Sequence, residues 1–187
     1  MVRGYNEVLH CNATMEADRL ILRKFGGQDA EDVLEYAGDA QALEHIDWEG
    51  VSSMEEARSS IYDYSLSRPG IWAIQHKESG KCIGGIDLRL DLAHEKASFG
   101  YMLSPLYWGR GYATEALSAL LRLCFEKLEL NRVESCHYAG NEASGRVMEK
   151  AGMKKEGYAP KARKIRGAFR DCVYYGITKD DYFSALR

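Results

Sequence analysis

The sequence predicts an α+β domain with a mostly antiparallel sheet, and three observations carry that expectation. Three β-type runs, Ile71 to His76, Cys82 to Leu90 and Lys96 to Leu103, follow one another across a turn at Glu78-Ser79-Gly80-Lys81 and a second break, the pattern of an antiparallel meander. A long amphipathic helix is written into Tyr112 to Lys127, where Ala113, Ala116, Leu117, Leu120, Leu121 and Cys124 recur at helical spacing and form an apolar stripe to lay on that sheet. The last part, Ile165 to Ile177, is aromatic and β-branched, with Gly167 in position to turn a closing hairpin.

The remaining elements fill in around these. Arg19 to Phe25 (RLILRKF) suits a short strand with one face better buried. A helix is expected from about Asp29, because Asp29, Glu31 and Asp32 favour the positive end of a helix dipole and Val33, Leu34 and Ala37 supply an apolar stripe. Ser52 and Ser53, each followed three residues later by Glu55 or Glu56, resemble a capping box opening a second helix through about Leu66, which Pro69-Gly70 ends. Arg132 to Tyr138 reads as a strand, and Ala143 to Lys150 as a short helix closed by Gly152. The order β, α, α, β, β, β, α, β, α, β, β shows no repeat, linker or low-complexity segment, so residues 1–187 are read as one domain, with 1–16 a flexible or peripheral segment.

Composition narrows the function classes. Charged residues form 28% of the chain and nearly balance, leaving a formal net charge of -3, so no global field draws it to nucleic acid or an acidic membrane. Cys11, Cys82, Cys124, Cys136 and Cys172 are scattered without a CxxC pair or histidines at metal-ligand spacing, which suits reduced thiols in the cytoplasm and no metal. No apolar run approaches the ~20 residues of a membrane span, and Met1 to Glu16 lacks the apolar stretch of a signal peptide.

Chemistry concentrates between Phe99 and Met153. Trp108-Gly109-Arg110-Gly111-Tyr112-Ala113-Thr114 leads from a strand end, through Ser104-Pro105, into the long helix. Two glycines there let backbone N–H groups approach an anion, and the helix start adds roughly half a positive charge, making Gly109 to Thr114 a candidate phosphate cradle. Arg110 either contacts a phosphate or is solvated, and the competing reading of the whole loop is a tight turn. A P-loop would need Gly-Lys-Ser/Thr where Gly111-Tyr112-Ala113 stands. A dinucleotide fingerprint would need Gly or Ala at Thr114, although Glu134 falls near the distance of a ribose-binding acid and keeps an oxidoreductase as an alternative. Tyr107 and Trp108 are expected to pack in the core beneath the loop.

Together with YWGRGYATEAL, the stretch Asn141-Glu142-Ala143-Ser144-Gly145-Arg146-Val147-Met148-Glu149-Lys150-Ala151-Gly152-Met153 resembles the GNAT superfamily of N-acetyltransferases, in particular the branch of ribosomal-protein N-terminal acetyltransferases. The resemblance runs from Ala17-Asp18-Arg19-Leu20-Ile21-Leu22-Arg23 to Asp171, Tyr174 and Tyr175. It implies a mixed, largely antiparallel sheet with splayed central parallel strands and flanking helices, binding acetyl-CoA in the splay as co-substrate. By the same resemblance, backbone groups of Tyr101, Met102 and Leu103 meet the pantetheine arm and Gly109, Arg110, Gly111, Tyr112, Ala113 and Thr114 hold the pyrophosphate. Asn141 bonds the pantetheine, and Ser144 serves the sulfur. The plainer readings are that Asn141 only caps its helix, that Ser144 is a surface residue, and that Glu115 makes a structural hydrogen bond.

A primary amine, with a pKa of ~10.4, is mostly protonated at pH 7, so attack on a thioester requires a base. Relatives often carry an acid where Ser98 stands, and serine cannot replace it; Asp87 and Glu44, with His45 and Asp47, are the candidates. Cys136 suggests an acyl-cysteine route, against which stands a small buried hydrophobe with no paired histidine. Glu44-His45-Ile46-Asp47-Trp48-Glu49 joins three carboxylates to an aromatic ring, a rim suited to a cationic amine, whether a protein N-terminus or a small molecule, or else a solvated loop with Trp48 buried. A CoA-binding module without turnover is the non-enzymatic alternative. Oligomeric state is open.

Overall fold

The computed structural model describes residues 4–186, with strands β1 (Met15–Glu16), β2 (Leu20–Arg23), β3 (Ile71–His76), β4 (Cys82–Asp91), β5 (Lys96–Leu103), β6 (Arg132–Tyr138), β7 (Lys154–Ile165) and β8 (Ala168–Thr178). They form one eight-stranded sheet in the order β1-β2-β3-β4-β5-β6-β8-β7. Every neighbouring pair is antiparallel except β5 and β6. This is the mostly antiparallel α+β arrangement the element order predicts, with the parallel pair the resemblance implies, and the meander, the central helix and the closing hairpin all form.

The helices are α1 (Tyr5–Cys11), α2 (Ala30–Ala37), α3 (Ala40–Leu43), α4 (Met54–Ser60), α5 (Tyr112–Arg122), α6 (Glu142–Lys150) and α7 (Lys179–Ala185). Helix α2 begins one residue after Asp29, because Asp29 is engaged elsewhere. Its carboxylate accepts bidentate bonds from Arg23 at 2.7 and 2.8 Å and a third from the Gly26 N–H, closing a tight turn ahead of the helix. Ser53 caps α4 through the Glu56 N–H, while the Glu56 carboxylate reaches back to Ser52, so the box spans both serines. Residues Ile61–Leu66 and Leu123–Lys127 extend α4 and α5 in π geometry. The stretch 1–16, expected to be flexible or peripheral, includes α1 in its described part: Leu9 is buried in the main core and the Asn12 carbonyl accepts from the Trp72 indole.

The sheet is covered on both faces. Strand alternation sends Ile86, Leu88, Ala97, Phe99 and Leu103 into the larger core with Leu117, Leu120 and Leu121 of α5, and Ala73 and Ile71 into a smaller core beneath α2 and α4. Each buried leucine of α5 contributes about 1.5–3 kcal/mol. Among the described residues no helix is long and apolar enough to cross a membrane.

The feature that positions the site is the one parallel pair. Strands β5 and β6 are in register at Lys96↔Arg132, Ala97↔Val133 and Ser98↔Glu134, and pairing stops there. The Phe99 carbonyl is taken by the Ser135 hydroxyl at 2.8 Å. Beyond it Tyr101, Met102 and Leu103 stay paired to β4 but have no partner strand on the β6 side. A cleft therefore opens in the middle of the sheet, at the end where α5 starts.

Candidate active site

The loop from β5 into α5 takes its shape from two glycines. Gly109 and Gly111 adopt φ of +72° and +84°, left-handed values that other residues reach only with strain, and nothing lies within 4 Å of where a Gly109 Cβ would project. The Glu115 N–H bonds the Gly111 carbonyl at 3.0 Å; the amides of Tyr112, Ala113 and Thr114 before it are those a helix start leaves without an intrahelical acceptor. Open surface, free amides and the helix dipole coincide there, which is what a phosphate requires.

The loop is clamped from outside by Arg19, a residue the sequence reading passed over. Its backbone N–H and Nε bond the Glu115 carboxylate at 2.6 and 2.8 Å, its Nη1 bonds the Arg110 carbonyl at 3.0 Å, and its guanidinium lies over the Tyr112 ring. Glu115 thus makes the structural contact expected of it. The Tyr112 side chain turns inward to His76 at 2.9 Å, and His76 meets Ser79 in turn, so Tyr112 offers the loop only its backbone. Arg110 is exposed over Tyr107 and lines a groove of about 450 Å³ with His76, Glu78 and Leu106, on the side of the β3–β4 turn. Trp108 departs from expectation: it is 44% exposed, held by its indole N–H on the Leu103 carbonyl at 2.8 Å rather than buried beneath the loop. That bond also occupies one of the β5 carbonyls offered to a pantetheine arm.

Across the cleft, α6 begins at Asn141, whose side chain accepts from the Ser144 N–H at 3.2 Å. Capping uses its oxygen and leaves its amide NH2 available. Ser144, half-buried in the first turn, lies near the Tyr101 hydroxyl, which is buried without a partner in hydrogen-bond geometry. Burial raises the Tyr101 pKa, and the nearby Ser144 partly opposes that rise. The helix sits low on the sheet because residue 145 is glycine: a Cβ there would stand 2.9 Å from both His137 Nε2 and Tyr175 Oη. His137 and Tyr175 thereby set the height of Ser144. No motif in the sequence flagged them, though a glycine inside a helical pattern was a signal of close approach.

The opposite face carries Asp87. It pairs with Gly100 across β4 and β5, and a Cβ on Gly100 would fall 2.9 Å from its Oδ1. Burial pushes the Asp87 carboxyl above the ordinary carboxylate range, with the Arg89 guanidinium pulling the other way. Oδ1 accepts from Arg89 Nη2 at 3.0 Å, whereas Oδ2 lies 2.7 Å from Arg89 Nε outside hydrogen-bond geometry and has no other partner. A half-buried carboxylate with a raised pKa, paired to Arg89 and lying against Gly100 of β5, has the character of a base. Glu44 sits elsewhere: exposed, it shares a hollow of about 60 Å³ with His45, Tyr138, Ala139, Ile165 and Arg170.

The rim around Glu44 is less acidic than the sequence suggests. Arg166, from the β7–β8 turn, donates to the Leu43 and Trp48 carbonyls at 3.2 and 2.8 Å, and Arg170 shares the hollow. Trp48 is 39% exposed, so it is not a core residue. Glu134 is held by Lys96 at 2.8 Å and Arg132 at 2.9 Å in a surface ion network, which removes the ribose-acid reading. Cys136 is half-buried beside Cys172, without a histidine or other activating partner among the described residues.

A split parallel pair, a glycine-shaped helix start at its mouth and a half-buried carboxylate on the far face define an acyl-transfer fold. The comparisons agree: the acetyltransferase (GNAT) domain profile matches residues 19–154, and the chain belongs to that family. It is 32% identical to the uncharacterized N-acetyltransferase YoaA of Bacillus subtilis over 88% of this chain and 96% of that protein. It is 38% identical to the putative ribosomal N-acetyltransferase YdaF of Bacillus subtilis, over 55% of this chain and 57% of that protein. A GNAT-family acetyltransferase from Bacillus anthracis superposes with a TM-score of 0.81 at 30% identity, covering 89% of this chain and 99% of that one.

Proposed function

We propose that this acetyltransferase moves an acetyl group from acetyl-CoA to a primary amine by direct attack, with a protein N-terminus as acceptor. The observation that carries this reading is the opening of β5 from β6 directly beside the Gly109–Thr114 helix start, with the Asp87 carboxylate on the neighbouring strand. These features fit the cofactor's two ends. Amides of Gly109 to Thr114 would hold the pyrophosphate, and Asn141 with the free edge of Tyr101, Met102 and Leu103 would hold the pantetheine.

The residues divide the chemistry between them. The acceptor attacks as the neutral amine, and Asp87 takes the proton that its nitrogen loses as the C–N bond forms, directly or through water, supplying the basicity that Ser98 lacks. A β5 backbone N–H near Met102 or Leu103 stabilises the oxyanion as the C–N bond forms, and Ser144 stands beside the sulfur as the C–S bond breaks. The raised pKa of Asp87 brings it closer to neutrality, where a general base is effective. Support for a protein acceptor comes from the ribosomal relative. A thiol-release screen with acetyl-CoA against peptides of varied N-termini and small amines tests the reading. Thiol release with small amines alone overturns the acceptor assignment, and no release with any amine overturns the activity.

A further inference from the structure

Beyond the cleft, one face of the sheet continues to a pair of arginines. The register sets Asp87 opposite Gly100 and Ser98 beside Glu134; further across, Tyr138 lies opposite Cys172 and Arg163 opposite Arg170. Alternation along each strand puts all of these on one face. The hollow of about 60 Å³ agrees, since it takes Tyr138 from β6, Arg170 from β8 and Ile165 from β7. The Asp87 carboxylate, the free end of β5 and the two guanidinium groups therefore border a single surface that runs from the cleft to the closing hairpin.

The arginine pair costs the fold something. Like charges directly opposite in an antiparallel ladder repel, and the hairpin supplies nothing to relieve them, with no acidic residue from Gly157 to Arg170. Among the described residues the ion pairs of β7 join Glu156 to Arg132 and Lys154 to Asp181, both at its other end. Asp171, next to Arg170, accepts instead from the Tyr158 hydroxyl and from the Lys161 N–H at 2.7 Å. Glu44 borders the hollow with Arg170, yet among the described residues no ion pair joins them. Arg166 is taken up by the Leu43 and Trp48 carbonyls, which ties the hairpin to the segment after α3. Burial, with Cys136, Cys172 and Asp47, raises the Tyr138 pKa and Arg163 acts against that rise, so its charge bears on the same floor. Both arginines are exposed and open to a ligand.

Distance sets what such a pair can read. Neighbouring strands lie ~4.8 Å apart, so β8 and β7 stand roughly 10–15 Å from the free edge of β5, where the amine would react. An extended chain at ~3.4 Å per residue covers that span in about three to five residues. We propose that Arg163 and Arg170 form an anion subsite that recognises a carboxylate side chain at the third to fifth residue of the acceptor, making acidic N-terminal segments the preferred substrate class. The assignment rests on the reading of a protein N-terminus as acceptor and narrows it. A carboxylate seated between the two guanidinium groups accepts charge-assisted bonds from both and relieves their repulsion.

Thiol release by the full chain from acetyl-CoA, with peptides that differ only in Glu or Gln at the third, fourth or fifth residue, tests this. At one of these positions kcat/KM should favour Glu by about three- to tenfold, through the peptide KM, and the preference should shrink with added salt. In Arg163→Gln and Arg170→Gln the preference should disappear while the acetyl-CoA KM holds, and Arg163→Glu should turn it toward Lys. Melting temperatures of the Gln variants should stay unchanged or rise, since a repulsion is removed, which separates lost recognition from lost folding. Equal kcat/KM for Glu and Gln peptides at all three positions, or a Glu preference that survives both Gln variants, overturns the subsite and leaves the acetyltransferase reading standing. Arginine-dependent release with small carboxylated amines but with no peptide overturns the acidic N-terminal segment as its occupant. A wild-type protein that releases thiol with no amine at all overturns the acetyltransferase reading itself.

Discussion

The two sides of the cleft are built in different ways. The Gly109–Thr114 side is local: it offers backbone amides in a continuous stretch, shaped by two positive-φ glycines and the start of α5. The side chains proposed to meet the acceptor are far apart in sequence, with Asp87 on β4 and, in a separate hollow, Glu44 after α3 beside Arg170 of the closing hairpin. A backbone site tolerates exchange of its side chains and is set by geometry. A side-chain site changes its charge with single substitutions, which is how one fold serves different amines.

If that contrast holds, Asp87→Asn should give the largest effect, a fall in turnover of about 10²–10⁴ as the base is lost. The same substitution should stabilise the protein at neutral pH. Because the folded-state pKa of Asp87 is raised, its ionised form is disfavoured by folding. That penalty is present above the folded pKa and is relieved as pH falls through it, so the variant's advantage should shrink on acidification. Denaturant unfolding across acid to neutral pH checks the sign. Retained turnover in Asp87→Asn would shift the base elsewhere on the acceptor side.

Gly111→Asp should abolish stabilisation by acetyl-CoA, expected in wild type at about 2.7 kcal/mol at a hundredfold excess over Kd, because it combines backbone strain with a carboxylate at the anion site. Melting curves with and without acetyl-CoA measure it. By contrast Thr114→Ser, which changes a side chain but not the backbone, should leave that stabilisation within experimental error.

Arg19→Ala tests whether the backbone side is held from outside. Losing the contacts to Glu115, the Arg110 carbonyl and Tyr112 should remove about 1 kcal/mol and lower Tm by about 2–4 °C. The acetyl-CoA KM should rise several-fold while kcat changes little. The smallest effect belongs to the Glu44 rim. Glu44→Gln should raise the acceptor KM by less than about threefold and leave the acetyl-CoA KM unchanged, since Glu44 is exposed and shares its hollow with Arg170. An effect larger than that of Arg19→Ala would make charge at the rim, rather than the cleft, the seat of specificity.

Much of this was open to the sequence alone because it depends on short-range periodicity. Strand limits at Ile71–His76, Lys96–Leu103 and Arg132–Tyr138 follow from alternation and breaks, α5 from a stripe of apolar residues, and the left-handed turn before α5 from its two glycines. Tertiary structure alone decided the rest. Where β5 leaves β6, and which arginines of the hairpin come to lie around Glu44, are relations between residues separated by tens of positions. Trp108 shows why: its indole finds the Leu103 carbonyl because β5 has no partner strand at its end, a condition no pattern of neighbouring residues records. Backbone conformation is written locally by sterics, whereas burial, pairing and pKa arise from what the rest of the chain brings alongside.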